Sequence, residues 1–424
     1  MRALATFGHF IARQIWLATH QRKAVKLADV ALPRLLVDVS TIIRHDAQTG
    51  IQRVVRGVWT ELLKRHGKEF ELVPVQATRS RGYCYVPLEG MEFGKDEDAE
   101  VPVIARAGDR FLGLDFSAHF LPKYTRQLKA WRDAGASIHL VVYDLLPVQH
   151  PEWFTQPGQT HYRRWLSVLI EQADQAICIS KQVAHDLGEL FYQRRPVRCP
   201  AITTMRLGGD IAASRPSAGI CGEVAALLDR FTFRPAVLMV GTVEPRKGYD
   251  VALAAFEHLW ATRGGEAPDL VIVGKPGWKT GPLQRRLRTH PEYGKRLHWL
   301  TGVTDEGLCE LYAVCRGLLM ASRGEGMGLP LLEAASHRRP LLVRDLPVFR
   351  EQQLAGVQYF EDDSPEALAG PLLRLATDRD PLPVQRALPT WGDSVTDLLA
   401  KLTLPDGAST TDIGDVGEQR RARA

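Results

Sequence analysis

Residues 317–335 place a strand pattern, a glycine-rich loop and a helix pattern in succession, and this succession constrains the fold most. The apolar run at residues 317–321 predicts a short buried strand, and residues 331–335 predict the first turns of a helix. Pro330 is predicted at the first helical position, where its missing N–H costs nothing. Backbone amides at such a turn point outward and attract an anion. The stretch therefore predicts an α/β domain with an anion site at a strand end.

Two glutamates, Glu325 and Glu333, bracket this loop with seven residues between them. Because carboxylates repel a phosphate, we interpret them as acceptors for hydroxyl groups on either side of it. An anion flanked by hydroxyl-bearing groups describes a nucleotide sugar. Simpler roles for these residues stay open. A glutamate in the first turn of a helix is favourable through the helix dipole alone, and Gly326 and Gly328 can simply shape a tight turn.

A second polar group follows the strand predicted over residues 236–241. Arg246 and Lys247 are adjacent in this loop, where they are well placed to neutralise a diphosphate leaving group. The alternative is a pair of solvated surface charges.

Length and composition favour a folded enzyme. A chain of 424 residues predicts two or three domains, and the net charge of +5 is too modest to indicate nucleic-acid binding. The six cysteines are scattered, with no pair at metal-ligand spacing, which favours a reducing cytoplasm. We find no apolar run of the roughly 18 residues that a membrane-spanning helix needs and no convincing signal peptide. The sequence therefore predicts a cytoplasmic protein.

The loop between the two glutamates resembles the glutamate–seven–glutamate motif of retaining glycosyltransferases of family 4 (glycosyl transferases group 1). The sequence Glu-Pro-Arg-Lys-Gly at residues 244–248 is similar to the diphosphate loop of that family. The resemblance covers about residues 35–400, densely in the second half and thinly in the first. It implies an α/β GT-B fold, in which two Rossmann-like doubly wound domains face a central cleft. One departure is Thr242, which stands where many members have arginine.

The resemblance also implies a role for each part of the motifs. Glu325, Lys247 and Arg246 are expected to be the catalytic residues, and Glu333 is expected to contact the ribose of the donor. Further donor-binding residues are expected in the loop and at neighbouring strand ends: Gly326, Met327, Gly328, Leu329, Gly241, Thr242, Gly274, Lys275 and Val303. No cofactor and no metal are expected, because the cations and the loop amides can stabilise a departing diphosphate by themselves.

The first half supplies the acceptor side of the predicted cleft. Gly50, Ile51 and Gln52 follow the first predicted strand, although this turn can also be an ordinary strand–helix connection. Tyr143, Asp144 and His150 follow a later strand, and polar residues in that position face the ligand crevice of open α/β sheets. The family often has His-Asp where this chain has Tyr143-Asp144, which puts a histidine contact to the sugar in doubt. His150 precedes a proline and can also be purely structural.

The chain divides into six predicted parts. Residues 1–30 form a basic amphipathic segment, which either lies on an anionic membrane surface or packs on the protein itself. The other parts are an acceptor-binding domain at 31–206, a linker region at 207–232, a nucleotide-sugar-binding domain at 233–390, a terminal helix returning to the first domain at 391–404, and a disordered tail at 405–424. Pro74 predicts that the strand at residues 70–75 lies at a sheet edge.

The resemblance implies transfer of a hexose from a nucleotide diphosphate sugar to a hydroxyl group, with retention of anomeric configuration. The phrases at residues 329–335 and 344–351 look most like bacterial mannosyl- and rhamnosyltransferases of surface-polysaccharide assembly. A GDP-sugar donor is favoured on that basis, with a glycan or a polyprenyl-linked oligosaccharide as acceptor. If residues 1–30 bind lipid, their partner is the inner membrane. Two alternative functions stay open: a GT-B nucleotide-sugar epimerase and a non-catalytic GT-B partner subunit.

Overall fold

The computed structural model describes residues 32–47, 49–95, 99–210, 219–377 and 388–402. The predictions for residues 1–30 and 405–424 lie outside these ranges. Within them, no helix combines the length and the apolar character that crossing a membrane requires. The described chain forms two α/β domains, each built on one sheet.

The first sheet has seven strands in the order β3-β2-β1-β4-β5-β6-β7. In chain order they are β1 (Arg34–Asp38), β2 (Glu71–Ala77), β3 (Tyr83–Tyr85), β4 (Arg110–Gly113), β5 (Ser137–Val142), β6 (Gln175–Cys178) and β7 (Ala201–Thr204). All neighbours pair in parallel except β2 and β3. The helices of this domain are α1 (Gly50–Arg65), α2 (Thr125–Asp133), α3 (Leu146–Gln149), α4 (Gln156–Gln172) and α5 (Lys181–Arg194).

The second sheet has six parallel strands in the order β10-β9-β8-β11-β12-β13. They are β8 (Ala236–Val240), β9 (Asp269–Val273), β10 (Leu297–Leu300), β11 (Gly317–Met320), β12 (Leu341–Arg344) and β13 (Gln358–Phe360). The helices are α6 (Gly222–Phe233), α7 (Tyr249–Arg263), α8 (Gly281–Arg288), α9 (Asp305–Val314), α10 (Leu329–Ser336), α11 (Pro347–Arg350) and α12 (Pro365–Thr377), with α13 (Trp391–Leu402) at the end of the described chain.

This strand order is the Rossmann order, and it fixes where a ligand can bind. The order reverses between β8 and β11, so the loops that follow these two strands diverge and leave a crevice at their carboxyl ends. In the first sheet the equivalent point lies between β1 and β4. The predicted pair of doubly wound domains is confirmed.

Two local predictions differ from the structure. Strand β2 is not an edge strand, because β3 pairs with its last three residues. Pro74 lies just before that pairing, so its missing N–H falls outside the antiparallel ladder. Helix α10 begins at Leu329, which puts Pro330 second rather than first, a position that also needs no intrahelical N–H bond.

The two domains are joined by more than the connecting chain. Helix α13 packs on α1 of the first domain, and its buried Trp391 lies so close to Gly57 that a Cβ there would meet the indole ring at 2.4 Å. Part of the range predicted as linker is helical: α6 begins at Gly222 inside that range and packs on α9 of the second domain. Met327 and Leu332 of the second domain are buried in the core cluster of the first. Apolar burial therefore holds the domains together beneath the cleft.

Two buried aspartates fix the loop that follows β1. Asp115 accepts hydrogen bonds from the amides of Thr41 (2.6 Å) and Ile42 (2.7 Å). Asp38 accepts from the hydroxyls of Ser117 (2.6 Å) and Tyr83 (2.8 Å). Burial and the neighbouring Asp38 raise the pKa of Asp115 to about 7, because the hydrogen bonds only partly offset the loss of hydration.

We expect this carboxyl to make stability fall with rising pH. The pKa of Asp115 lies above its ordinary value of 3.8, so between the two values the folded chain holds a proton that the unfolded chain has lost. The free energy of unfolding should therefore decrease from about pH 4 to about pH 7, by at most ~4 kcal/mol. In Asp115→Asn the amide oxygen can still accept from both amides, so urea unfolding at pH 5 and pH 8 should show a smaller pH dependence. The control is Asp133→Asn, at an exposed carboxylate. Equal pH dependence in wild type and Asp115→Asn would contradict the assignment.

Candidate active site

The loops after β8 and β11 meet at the reversal point of the second sheet. Gly248 has φ 68° and closes the first loop, and a Cβ on it would lie 2.1 Å from the carbonyl oxygen of Ala321. Only glycine permits that conformation together with so close an approach. The amide of Arg323 donates to the carbonyl of Arg246 at 2.7 Å. The sequence thus folds two distant loops into one surface.

Glu325, Lys247 and Arg246 form one charged cluster on this surface. The Lys247 ammonium and the Arg246 guanidinium each lie 2.5 Å from a different carboxylate oxygen of Glu325. Ser322 donates its hydroxyl to the same carboxylate at 2.7 Å. Arg246 also pairs with Glu244 at 2.8 Å. The structure brings together the three residues predicted to be catalytic.

The electrostatics of the cluster favour the ionised forms. Burial by itself would raise the pKa of Glu325, but Arg246 and Lys247 outweigh it and lower the pKa to about 2. Burial would lower the pKa of Arg246, but Glu325 and Glu244 raise it above its ordinary value. Burial raises the pKa of Asp144, against the influence of Arg246. Glu325 is therefore ionised at neutral pH, and its carboxylate holds the two basic side chains in place.

The backbone of the same loop, at Gly326, packs directly against the first domain. A Cβ on Gly326 would lie 1.9 Å from the carbonyl oxygen of Tyr143, so glycine is required there at this separation of the domains. The hydroxyl of Ser180 donates to the carbonyl of Gly326 at 2.7 Å. The phenol of Tyr143 donates to the Leu114 carbonyl at 2.6 Å and is buried in the first domain. Only the backbone of Tyr143 therefore faces the loop.

A second contact crosses the rim of the cleft. The indole N–H of Trp278 donates to the carbonyl of Trp153 at 2.8 Å, and the Lys279 ammonium contacts the carbonyl of Glu152. The His150 ring stacks on Trp153, with 4.0 Å between ring centroids, and its Nδ1 lies 3.2 Å from Glu152. In this arrangement His150 is part of the rim, and its predicted contact with a ligand stays a prediction.

Glu333 lies apart from the charged cluster and meets the first domain directly. It is 1% exposed. Its Oε2 accepts from the Tyr312 hydroxyl at 2.9 Å, and its Oε1 is paired with Nη1 of Arg53 from α1. The other terminal nitrogen of Arg53 lies 3.0 Å from Asp305. Sequence reasoning missed Arg53, because an arginine in the first turns of a helix looks like a solvated residue.

The remaining predicted donor residues lie at the carboxyl ends of the second sheet. Met327, Gly328 and Leu329 are buried where the loop enters α10, and Gly241, Thr242 and Val303 are partly buried after β8 and β10. A Cβ on Gly274 would lie 1.8 Å from the carbonyl oxygen of Gly241, and the next residue, Lys275, is exposed. These placements are compatible with a bound nucleotide, and the individual contacts stay predictions.

The predicted first-domain residues have mixed surroundings. Gly50 is the exposed first residue of α1, where an added Cβ would have no atom within 4 Å, and Ile51 is partly buried. Gln52 is buried: its side-chain nitrogen donates to the His45 carbonyl at 2.7 Å, and its oxygen accepts from the Thr49 amide at 3.2 Å. Gln52 therefore caps the start of the helix. Among the residues that the structure describes, no three His, Cys, Asp or Glu side chains form a group that could hold a metal ion.

Comparison with known proteins agrees with this geometry. Residues 234–378 match the family model "Glycosyl transferases group 1". These residues, the group 1 domain, are similar to that family. This domain spans both loops of the charged cluster and also Glu333.

One relative of named activity shares sequence outside the group 1 domain as well, because its alignment is more than twice as long as that domain. The chain is 42% identical over 346 residues to the serotype-specific mannosyltransferase WbdA of Escherichia coli, an alignment that covers 79% of this chain and 40% of the relative. It is 37% identical over 108 residues to the O-antigen chain mannosyltransferase B of E. coli, which covers 25% of this chain and 27% of that protein. The chain thus spans about two fifths of the length of WbdA.

Solved structures identify the fold around the group 1 domain. HepE of Anabaena, in a complex with UDP-glucose, has a TM-score of 0.54 at 13% identity, over 87% of this chain and 94% of that one. Sucrose-phosphate synthase of Thermosynechococcus elongatus has a TM-score of 0.55 at 16% identity, over 92% of this chain and 100% of that one. The predicted GT-B fold is confirmed.

Proposed function

We propose that this chain is a hexosyltransferase, which moves a sugar from a nucleotide diphosphate sugar to a hydroxyl group of a glycan during assembly of a cell-surface polysaccharide. The observation that carries the proposal is the cluster of Arg246, Lys247 and Glu325 at the reversal point of the second sheet. Two oriented cations at a strand end, beside a glycine-rich loop, suit a diphosphate. The match of the same residues to the group 1 family model supports this assignment.

In the proposed reaction the protein stabilises the leaving group. Charge develops on the diphosphate as the bond to the sugar breaks, and cations that are already oriented stabilise that charge without reorganising. Glu325 supplies the orientation, because it holds both cations from one buried carboxylate. An ammonium has three N–H donors. Within the described residues Lys247 uses one of them on Glu325, which leaves it able to bind a phosphate oxygen.

We infer that Glu325 is not a covalent nucleophile. Its carboxylate accepts from Ser322 and contacts two cations, and such contacts withdraw electron density from the oxygens. Attack from the front face, assisted by the departing phosphate, then accounts for retention without a nucleophile. In this proposal Glu333 accepts hydrogen bonds from the ribose, as the resemblance implies.

The donor and acceptor are proposed from the relatives. Two relatives are named mannosyltransferases, so mannose is the favoured sugar, with rhamnose second. GDP is the favoured carrier because the loop sequences resemble those of mannosyltransferases. HepE was solved with UDP-glucose, which supports a nucleotide sugar as the donor class of this chain. The base in HepE is uracil, which differs from the guanine proposed here. A glycan or polyprenyl-linked oligosaccharide is the proposed acceptor, at the cytoplasmic face of the inner membrane.

A donor panel tests the proposal. The full chain is incubated with GDP-mannose, GDP-rhamnose, dTDP-rhamnose, UDP-glucose and UDP-N-acetylglucosamine, each with and without a polyprenyl-linked mannose oligosaccharide. We expect GDP release with GDP-mannose, increased by the acceptor, and a product longer by one hexose. If none of the donors gives nucleotide release and the chain binds stably to another transferase, the result would instead indicate the non-catalytic partner subunit. Conversion of a donor to its epimer would indicate the epimerase.

Contact with the membrane is a separate proposal, which rests on the basic amphipathic pattern of residues 1–30. Sedimentation with anionic liposomes should be lost when residues 1–30 are deleted. Equal sedimentation of both forms would remove the basis for this proposal.

A further inference from the structure

One arginine of the first domain reaches into the donor half of the cleft. Arg53 lies in the first turns of α1, yet both of its terminal nitrogens contact carboxylates of the second domain. Its partners Glu333 and Asp305 lie 280 and 252 positions away in the sequence. The side chains of Arg53 and Glu333 are 14% and 2% exposed, so the pair is shielded from water.

The two carboxylates keep the buried Arg53 side chain in its charged form. Burial would lower the pKa of Arg53, but Glu333 and Asp305 outweigh that effect and raise it above its ordinary value. The guanidinium therefore stays charged although it is buried between the two domains. A buried charge without partners is costly, so each of these groups needs its partner from the other domain while it is buried. Separation of the domains would break the pairs and expose Arg53, Glu333 and Asp305 to water at the same time.

The contact also determines how Glu333 is presented. Tyr312 donates to one carboxylate oxygen from the second domain, and Arg53 donates to the other from the first. Donors on both oxygens fix the plane of a carboxylate, as outer partners do for the ligands of metal sites. A carboxylate has about four acceptor positions, so Glu333 keeps the capacity to accept from hydroxyl groups.

We propose that Arg53 is a positioning residue for the donor: it holds the Glu333 carboxylate in the orientation that binds the ribose, so this half of the donor site is complete only when the domains are closed. The inference rests on the proposed function, in which Glu333 binds the ribose of a nucleotide sugar. Its structural alternative is an ion pair that only stabilises the closed arrangement.

A double-mutant cycle separates the two roles. Affinity for GDP, with UDP as a second probe, is measured by calorimetry for wild type, Arg53→Ala, Glu333→Gln and the double variant. We expect Arg53→Ala to weaken nucleoside diphosphate binding about 10- to 100-fold. In the Glu333→Gln background the same change should alter affinity by less than about twofold, because Arg53 acts through the carboxylate. Equal losses in both backgrounds, no loss in either, or tighter binding would overturn the inference.

Two further variants protect the test from a folding artefact. Arg65→Ala is the matched control, because Arg65 is in the same helix and donates to Gly392 (3.0 Å) and Thr396 (2.7 Å) without touching the donor half. It should leave nucleotide affinity unchanged. If Arg53→Ala does not fold, Arg53→Lys replaces it in the cycle: it keeps the charge but loses the two-pronged geometry, so a loss smaller than tenfold is expected. Wild-type affinity in Arg53→Lys would overturn the inference.

This inference and the proposed function fail separately. Calorimetry with a nucleoside diphosphate needs no turnover, so it tests Arg53 even if no donor in the panel is used. If no donor is turned over but GDP affinity depends on Arg53, the proposed transferase function is rejected and the inference on the nucleotide site is kept. Turnover without dependence of GDP affinity on Arg53 would keep the transferase and remove the inference.

Discussion

Lys247→Ala should lower kcat for sugar transfer by about 10²- to 10³-fold, the range found when one preorganised charge-stabilising donor is removed from an active site. The ammonium lies 2.5 Å from Glu325, in a loop that Gly248 closes against Ala321, so its position does not depend on the substrate. Charge on the departing diphosphate is greater in the transition state than in the bound donor. The loss should therefore appear in kcat more than in KM.

The measurement is the initial rate of nucleotide diphosphate release at saturating donor and acceptor. Lys129→Ala is the matched control, because Lys129 pairs only with Asp133 on the surface of the first domain among its described contacts. Its kcat should equal that of wild type. A kcat within about threefold of wild type for Lys247→Ala would show that Lys247 does not stabilise the leaving group, since even a single neutral hydrogen bond is worth that much.

Gly326→Ala should also abolish most of the activity, for a steric reason. The added methyl group would lie 1.9 Å from the carbonyl oxygen of Tyr143, and this main-chain group cannot turn aside as a flexible side chain would. The two domains must then separate at this loop by an ångström or more. A displacement of that size at a reacting centre costs about 10²-fold in rate.

Small-angle scattering and kcat/KM are measured together for this variant. We expect a larger radius of gyration and a kcat/KM lower by about 10²-fold. Gly188→Ala provides the control, because Gly188 lies in α5 with no atom within 4 Å of an added Cβ. Wild-type activity in Gly326→Ala would mean that the domains act while further apart than they are in this structure.

The parts of the molecule that the sequence predicts well are those determined by local patterns. The strand, loop and helix around Glu325 follow from an apolar run, four glycines and a proline within a short stretch. The approach of Lys247 to Glu325 follows from sheet topology, because loops after adjacent parallel strands emerge at the same edge. These features require no knowledge of how the two domains meet.

The parts that the sequence does not predict depend on long-range contacts. Arg53 and Glu333 are 280 positions apart, and no local pattern relates them. Glu244 is two positions from Arg246 and pairs with it. The sequence does not predict this pair, because a glutamate in a loop is usually solvated, whereas Glu244 is only 4% exposed. The burial of Asp38 and Asp115 likewise depends on the packing of β3 and the loops around them. The sequence shows which side chains are charged, but it does not show which of them are buried away from water.

The rim of the cleft has a consequence for which side chains of the first domain can vary. Trp278 and Lys279 donate to carbonyl groups of the first domain, Ser180 donates to the carbonyl of Gly326, and Glu351 accepts from the amides of Lys181 and Gln182. Each of these contacts uses a main-chain group on one side. At four of the five contacts the first domain supplies the main-chain group, and Ser180 is the exception. First-domain side chains at those four points can therefore be exchanged while the contacts are kept, which under the proposed function would let the acceptor side of the cleft vary.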